Sequence, residues 1–585
     1  MSDISRAAPT AASSQRTGAA FVRALEPYWW PALLLAILFF LVIYPVGKLF
    51  LGSVTDVNPM GTHAGLPVLT LRQYADVFLN PTVRLAAFNS LVTCGFGALI
   101  SVVIGLFFAW AVVRTNTPLR GVIRSAGVMP LFIPPLVAGF AWSLLGSPET
   151  GLLNIALAAM GISWRVNFYS LTGITFVFGV YYAPYVFMFT ASALQNMDPA
   201  LEEASEIAGA GVLSTMLRVT FPLMSPAILS GGLLAFVIML GVYGTPAILG
   251  TPANEPFLTT YLFNLISGTP PLYNKAAAVS VAFIAVTALG IYLQQRVLRG
   301  RSFVTVGGKS FHPKLLDLGR WRFVTLAFGI LYLVIVVILP YAALMVVAFR
   351  KFMFVPDLAS LLDFKQYSLV HFDALFRNPL TLRSIVNSLT VGAAAAIFGG
   401  ALAFAVAYTV HRTRLPGSRL LDYVATTPVA IPGLVIGIAY LWAWVGMPGG
   451  LYGTTWILAI AFVARFLPDT MKALSSSLMQ IHRELEEASW ICGRGLLATI
   501  RRIVVPLTWP GILSGMTLLF VLSIRELGSS LFLYTSNSII MSVLLLDFWE
   551  GGSIGVSAAF SVFQSALLFL ILGSVNEISS RMRKS

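Results

Sequence analysis

The sequence predicts an all-α polytopic membrane protein with about twelve transmembrane helices, arranged as two parallel six-helix repeats. Composition is the first reason. Of 585 residues, 57% are hydrophobic and only 10% are charged, whereas about a quarter of the residues in a soluble domain carry charge. Duplication is the second reason. A polar segment between apolar blocks, Leu201-Glu202-Glu203-Ala204-Ser205, returns 284 residues later as Leu485-Glu486-Glu487-Ala488-Ser489.

A helix needs about 20 apolar residues to cross a bilayer, and twelve runs of this kind are predicted as spans. Residues 151–161 are also apolar, but about ten residues are too few to cross, so we predict a short interfacial helix there. The predicted spans lie near 30–53, 86–113, 123–146, 168–192, 226–249, 276–297, 322–349, 385–411, 420–445, 452–475, 510–532 and 555–578.

The segments outside the spans divide the chain. We expect a disordered cytoplasmic tail over 1–28, a first half over 29–297, a cytoplasmic linker over 298–321, a second half over 322–579 and a cytoplasmic tail over 580–585. Lys and Arg are more frequent in cytoplasmic loops. With both termini inside, 25 Lys and Arg residues fall inside and nine outside. The net charge of +14 is therefore explained by membrane orientation, without nucleic acid.

The repeat extends beyond the polar segment. Asn80-Pro81 and Arg114-Thr115 recur 298 residues later, as Asn378-Pro379 and Arg412-Thr413. The change of interval from 298 to 284 requires 14 extra residues in the first copy, between Pro134 and Pro184. Six spans per copy is an even number, so both halves should enter the membrane in the same sense, as parallel repeats do.

The repeated polar loops, 198–222 and 482–506, are predicted to form compact helix-turn-helix units. Asp198-Pro199 offers an N-cap and a first-position proline. Glu202 and Glu203 then fall in the first turn, where the helix dipole favours negative charge. Gly209 and Gly211 can end the helix with positive φ.

A second short helix is expected to lead back to the membrane, and Pro226 and Pro510 suit the first turn of the next span. One copy of such a loop could be an ordinary capped connection. Two copies at matched spacing favour a surface that binds a partner which is itself duplicated.

The residues of these loops resemble a known family. The pattern Glu-Ala-Ser-x-x-x-Gly, followed by Val219-Thr220-Phe221-Pro222 or by Ile503-Val504-Val505-Pro506, resembles the EAA loop of binding-protein-dependent ABC importer permeases. The resemblance covers 70–297 and 370–578, and Ser205 and Ser489 stand where the family has its second Ala. The fused double permease is similar to the ferric-iron uptake type, as are Arg525–Ser530 and Gly244–Pro246.

This resemblance implies partners and a location. Two copies of a cytoplasmic ATP-binding subunit would use ATP and Mg, each docking on one loop, while the chain itself binds no cofactor. An extracytoplasmic solute-binding protein would deliver the solute to a multi-pass permease surrounded by lipid in a bacterial inner membrane. The implied docking residues are Glu202, Glu203, Ala204, Gly209, Glu486, Glu487, Ala488 and Gly493.

Ionisable residues inside spans are candidates for a functional role. Arg525 and Glu526 have Gly241 and Val242 as first-copy counterparts, so the repeat loses its symmetry there. They could lock helices together or line the translocation path, opposite Tyr243 and a helix broken near Pro246.

Arg465 and Asp469 are four residues apart and can pair along one helix face, and a structural pair is the preferred interpretation. Asp547 and Glu550 are interpreted as external acids that could meet a binding protein or a cation.

Other motifs are set aside. Gly307-Gly308-Lys309-Ser310 resembles the end of a phosphate-binding loop, but the required first Gly is Phe303. The two cysteines and five histidines show no spacing typical of a metal site. The sequence therefore identifies no metal ligands and leaves the question of a metal site open.

We therefore expect a permease that moves a small solute inward by alternating access. Ferric iron is the first candidate, and a polyamine, thiamine or a phosphonate are alternatives. An ion-gradient-driven secondary transporter, which also occurs as parallel repeats, is the alternative class.

Overall fold

The computed structural model describes residues 29–584 apart from 57, 60–67, 299–314, 354, 414, 416 and 448. Over these residues the chain is helical, and its β structure is limited to three isolated bridges. The predicted all-α class is confirmed. The predicted tail 1–28, most of the linker and the Gly307–Ser310 motif lie outside the described residues.

The helices are numbered here in chain order. The first half contains α1 Trp29–Ser53, α2 Arg72–Leu79, α3 Pro81–Val113, α4 Arg120–Phe132, α5 Pro135–Gly146, α6 Leu152–Ala159, α7 Leu171–Asn196, α8 Ala200–Ile207, α9 Val212–Leu240, α10 Gly244–Leu249, α11 Leu258–Ser267 and α12 Tyr273–Leu298. The second half contains α13 Trp321–Phe349, α14 Val370–Arg377, α15 Pro379–Arg412, α16 Ser418–Ala430, α17 Gly433–Trp444, α18 Thr455–Met479, α19 Glu484–Ile491, α20 Leu496–Arg525, α21 Met541–Glu550 and α22 Ile554–Lys584.

Apart from α6 and α10, which occur in the first half, the helices follow one another in the same order in both halves. The side chains of Asn80 and Asn378 cap α3 and α15 by accepting from Thr82 N at 2.8 Å and Leu380 N at 2.9 Å. From α7 and α18 to α9 and α20 the equivalent helices begin 284 residues apart. The extra residues of the first copy therefore surround α6, because the described residues between α17 and α18 hold no helix.

The number of straight spans is smaller than predicted. Among the described residues, nine helices are long and apolar enough to cross a membrane, or up to eleven if each of two bent pairs counts as one span. The predicted span 452–475 corresponds to α18, which carries Arg465, Asp469 and Lys472 and is not among the nine.

The predicted spans 123–146 and 420–445 are wrong as straight helices. Helices α4 and α5 meet at 101°, and α16 and α17 at 113°. Ile133 and Ile431 lie at the bends with ψ of 124° and 116°. Each precedes a proline, which disfavours the helical region for the residue before it. The bends are therefore encoded locally, in both copies.

The connection after each polar loop also differs from the prediction. No separate second helix forms, because α9 and α20 run without a break from the loop through the span. A wider helical turn at Met216–Thr220 and Ile500–Val504 joins the two parts. Pro226 and Pro510 consequently lie inside the helices and not in their first turns. The carbonyl of Pro222, which Pro226 cannot bond, accepts from Ser225 Oγ at 2.8 Å.

The first helix of each half packs on the opposite half. Trp30 Nε1 of α1 donates to Thr409 Oγ1 at 3.0 Å, and Tyr440 OH donates to the carbonyl of Leu41 at 2.8 Å. In the reverse direction, Tyr332 OH of α13 donates to the carbonyl of Val180 at 2.6 Å. The halves are thus continuous in sequence but exchange their first helices in space.

Candidate functional site

An arginine at the end of a long helix anchors each polar loop. Arg114 follows α3, and its Nε lies 3.0 Å from Glu202 Oε2. Arg412 ends α15, and its Nε lies 3.5 Å from Glu486 Oε1. Both arginine side chains are about 95% buried, with exposures of 6% and 5%. The same ion pair therefore ties loop to span in both copies.

The anchored carboxylates accept further hydrogen bonds. Glu202 Oε1 accepts from Thr220 Oγ1 at 2.7 Å, and Glu486 Oε2 accepts from Tyr408 OH at 2.8 Å. A buried charge is tolerated only when it is paired and hydrogen-bonded. Glu202 and Glu486 thus point into the protein, whereas the sequence grouped them with the residues of the docking surface.

The next residues of each motif face outward. Glu203 and Ala204 are exposed, as are Glu487 and Ala488. Ile207 and Ile491, at the ends of α8 and α19, are 88% and 86% exposed. Large apolar side chains exposed beside charges are typical of a protein–protein interaction site. Each loop thus presents an acid, a small residue and an isoleucine on one surface.

A glycine turn follows each short helix. Gly209 and Gly493 have φ of +82° and +75°, a region that other residues avoid. Gly211 was expected to share this conformation, but its φ is −72° and it caps the following helix instead.

Two serines brace these turns, a role that sequence reasoning missed. Ser205 Oγ lies 2.8 Å from Thr215 Oγ1, and Ser489 Oγ lies 2.9 Å from Thr499 Oγ1. The signal was present in the sequence, since both copies have a Thr ten residues after the Ser. The serines that replace the family's second Ala therefore hold the turn closed.

The asymmetric charges at the end of α20 have separate partners. Glu526 Oε2 lies 3.2 Å from Arg465 Nε of α18, and Glu526 Oε1 accepts from the backbone and hydroxyl of Ser529 at 3.0 Å each. The expected pairing of Arg465 with Asp469 is wrong, because the Arg465 side chain instead pairs with Glu526 and donates to the carbonyl of Ile431. A Cβ on Gly433 would lie 2.6 Å from Glu526 Oε1.

Arg525 points to the opposite half. Its guanidinium donates to the carbonyl of Leu131 at the bend between α4 and α5. It lines a cavity together with Tyr182, Tyr185 and Thr245. The structure thus places Arg525 between the two halves, where a translocation path between repeats would lie.

Tyr243 lies elsewhere. It is 5% exposed, in the break between α9 and α10, and its ring packs against Phe263 with centroids 5.1 Å apart. No described hydrogen bond or ring contact joins it to Arg525 or Glu526.

Sequence reasoning did not relate one residue of the first half to its counterpart in the second half near the cavity of Arg525. Tyr185 of α7 and Asp469 of α18 are equivalent, 284 residues apart, and each follows a proline inside its helix. Tyr185 and Asp469 are near enough to interact electrostatically, and Asp469 is exposed although most of its helix is buried. The fixed interval of the repeat was the signal that could have found them.

Asp547 and Glu550, which the sequence predicts to be external acids, lie at the end of α21. Burial raises the pKa of Asp547, and burial together with the Asp547 carboxylate raises the pKa of Glu550. Across the part of the chain that the structure describes, no group of three or more His, Cys, Asp or Glu residues could hold a metal ion.

Comparison with known proteins identifies a family and several relatives. The sequence model of the family described as binding-protein-dependent transport system inner membrane component matches residues 101–302 and 397–584. The ferric transport system permease protein FbpB of Actinobacillus pleuropneumoniae is 26% identical over 564 residues, covering 94% of this chain and 79% of that protein.

The Fe(3+)-transport system permease protein FbpB 2 of Haemophilus influenzae is 24% identical over 553 residues, covering 94% of this chain and 97% of that protein. Among solved structures, a bacterial ABC transporter involved in the import of the acidic polysaccharide alginate aligns with 44% of this chain and 94% of its own, at 17% identity and a TM-score of 0.37.

Proposed function

This chain belongs to the family of binding-protein-dependent transport system inner membrane components. From its similarity to ferric permeases we propose that it carries ferric iron inward across a bacterial inner membrane. Membership makes the chain an ABC importer permease, a multi-pass inner membrane protein and not itself an enzyme. Permeases of this family work with an ATPase and a periplasmic binding protein. The alternative class, an ion-gradient-driven secondary transporter, is therefore wrong, because the chain belongs to the ABC importer permeases.

One observation carries the choice of cargo. The ferric permeases of Actinobacillus pleuropneumoniae and Haemophilus influenzae each align with 94% of this chain, so the similarity extends over both halves and the region between them. A polyamine, thiamine or a phosphonate remain the alternative cargoes.

The chemistry of the interface between the halves supports a cation. Hard cations prefer oxygen ligands. Tyr182 and Tyr185 offer phenol oxygens there, and the Asp469 carboxylate is near enough to interact with Tyr185. Arg465 neutralises Glu526, whereas Asp469 makes no ion pair among the described contacts. Asp469 is thus the carboxylate that a passing cation would meet, with Arg525 as a positive boundary.

Coupling follows from the two anchored loops. Both termini and both loops are cytoplasmic in this proposal, as the distribution of Lys and Arg predicts. Two ATP-binding subunits dock on Glu203, Ala204, Glu487 and Ala488, and their closure moves both loops together. Arg114 and Arg412 transmit that movement to α3 and α15. The permease thus has two conformations, one with the loops apart and one with the loops together. A binding protein that prefers one of these conformations shifts the equilibrium between them from outside.

Uptake by proteoliposomes tests the proposal. The chain is reconstituted with its co-purified ATP-binding subunit and binding protein, and ATP-dependent uptake of labelled Fe(III), putrescine, thiamine and a phosphonate is measured. Fe(III) uptake that requires both ATP and the binding protein is expected. ATP-dependent uptake of another solute without Fe(III) uptake would reject iron while keeping the importer. Uptake that needs no ATP-binding subunit would reject both.

A further inference from the structure

The end of the linker between the halves is fixed against the first docking loop. Residues 315–319, called the linker strap here, form a parallel bridge to the segment after α3. Leu316 N donates to the carbonyl of Arg114 at 2.8 Å, and the Leu316 carbonyl accepts from Asn116 N at 3.1 Å. Asn116 Nδ2 also donates to Asp317 Oδ1 at 2.6 Å. The strap is therefore part of the surface around loop 198–222.

The strap and the first loop enclose a cleft of about 290 Å³. Glu202, on its wall, is already paired with Arg114. The other acids of the wall are Glu203, Glu206 and Asp317, and none of them makes an ion pair among the described residues. Hydrogen bonds from Gly319 N and Asn116 lower the pKa of Asp317, so it is ionised at neutral pH. Arg322 also attracts the Asp317 carboxylate, but the wall itself carries three carboxylates without an ion pair, so the cleft is negative. Trp110 and Leu315 form its apolar side.

The second loop offers a different surface. The counterparts of Pro199 and Glu206 are Arg483 and Trp490, and Arg483 Nη2 donates to the carbonyl of His411 at 2.9 Å. No described segment forms a bridge with Thr413, the counterpart of Thr115. Formal charges give −3 for 198–222 and +1 for 482–506. On this second surface the exposed Trp490, Ile491 and Leu497 lie beside exposed charges of both signs, such as Glu487, Arg494 and Arg501.

We propose that the linker strap completes the first docking site as a cleft for a Lys or Arg side chain of one ATP-binding subunit, so that the two sites hold their subunits in unequal ways. The inference rests on the proposed function and adds to it. Charge and continuity argue for this occupant: three unpaired carboxylates beside an indole ring suit a cationic side chain, and the cleft adjoins the exposed residues of the docking loop. The first contact is then the more salt-sensitive of the two, because a net charge of −3 in loop 198–222 faces a cation, whereas the charges of loop 482–506 are of both signs and sum to +1.

One cysteine on each loop can report how well the ATP-binding subunit protects that loop from labelling. Cys492 is exposed on the second loop, whereas Cys94 is buried. The counterpart of Cys492 is Ala208, so Ala208→Cys in a Cys492→Ser background reports on the first loop. Maleimide labelling is followed in the complex with the co-purified ATP-binding subunit. Raising the salt from about 0.1 to about 0.5 M shortens the range of charge interactions and should expose position 208 before position 492.

A charge variant makes the same test at constant salt. Asp317→Asn with Glu206→Gln should weaken the first contact roughly three- to tenfold, since exposed ion pairs are individually weak. Position 208 should then be labelled at low salt while Cys492 stays protected. The matched change Glu484→Gln on the second loop should leave labelling at 208 unchanged.

The possible results separate the two hypotheses. Loss of protection at both positions at the same salt concentration, or no effect of the charge variant, overturns the proposed inequality and leaves the importer function standing. Absence of protection by the ATP-binding subunit at both positions overturns the proposed function itself. The salt experiment leaves the strap unaltered, so it does not depend on the folding of the charge variant.

Discussion

Arg465 and Glu526 form an ion pair of 3.2 Å between α18 and the end of α20, and the first half has no equivalent. The counterparts of these residues are Tyr181 and Val242. Tyr181 instead donates its hydroxyl to the carbonyl of Val336 at 2.8 Å. The two halves thus share a backbone plan but differ in charge where they meet, and this difference leads to the first prediction.

Glu526→Gln should destabilise the protein by about 2–3 kcal/mol, because removing one partner leaves the Arg465 charge unpaired. This loss of stability is smaller than that expected for a fully buried ion pair, because the Arg465 and Glu526 side chains are 21% and 11% exposed. Thermal unfolding in detergent measures it. The double change Arg465→Met with Glu526→Leu should recover most of the stability.

Fe(III) uptake by the double variant then shows whether the ion pair has a structural role or lies on the translocation path. Normal Fe(III) uptake would limit Arg465 and Glu526 to holding helices together, and lost uptake at normal stability would place them on the path. Unchanged stability of Glu526→Gln would contradict the ion pair.

Substitution of the buried acid of a polar loop should lower stability, whereas substitution of the exposed acid next to it should lower uptake. Glu486 is 3% exposed and bonded to Arg412 and Tyr408, so Glu486→Gln should cost about 1–3 kcal/mol of unfolding free energy. Glu487→Lys, on the exposed side, should change stability by less than about 0.5 kcal/mol but reduce ATP-driven uptake and binding of the ATP-binding subunit. Glu484→Lys, in the same turn, is the charge control. Equal stability losses for Glu486→Gln and Glu487→Lys would refute the division.

Substitution of the left-handed glycines should loosen both turns. Gly209→Ala and Gly493→Ala should each cost about 1–2 kcal/mol, since φ is positive there although no atom lies within 4 Å of the added Cβ. Gly211→Ala and Gly495→Ala have the same open space but φ of −72° and −73°. These controls should cost roughly 0.5 kcal/mol. Urea titration of the four proteins gives the comparison, and equal losses would show that conformation is not the cause. Bulkier side chains at 209 and 493 should also uncouple ATP hydrolysis from uptake.

Gly433→Ala should break the ion pair between Arg465 and Glu526, because the added methyl group would collide with both side chains. The added Cβ would lie 2.6 Å from Glu526 Oε1 and 2.8 Å from Arg465 Cζ, distances at which one of the groups must move. Its Tm should fall as far as that of Glu526→Gln, and the two changes together should not be additive. Gly121→Ala, near the start of α4 with no atom within 4 Å, should be neutral or slightly stabilising. Full additivity of Gly433→Ala with Glu526→Gln would show that they act on different contacts.

Local patterns predicted local structure well. The polar loops and the extra segment around α6 follow from residues adjacent in the chain. The bends at Ile133 and Ile431 also have a local cause, but hydropathy over 20 residues averages across them. Arg465 and Glu526 are 61 positions apart, and only the packing of α18 against α20 brings them together. Pairing at four-residue spacing therefore suggested Asp469 in place of Glu526.

The exchange of first helices has a consequence for biosynthesis. Trp30 and its partner Thr409 are separated by 379 residues. At about 5–20 residues per second, α1 enters the bilayer roughly 20–80 seconds before its packing surface has been translated. During that interval lipid, or a membrane chaperone, must cover the face of α1 that later contacts α16 and α17. Assembly of this protein therefore includes a late lateral step, in which a helix inserted at the outset moves against the last half to be made.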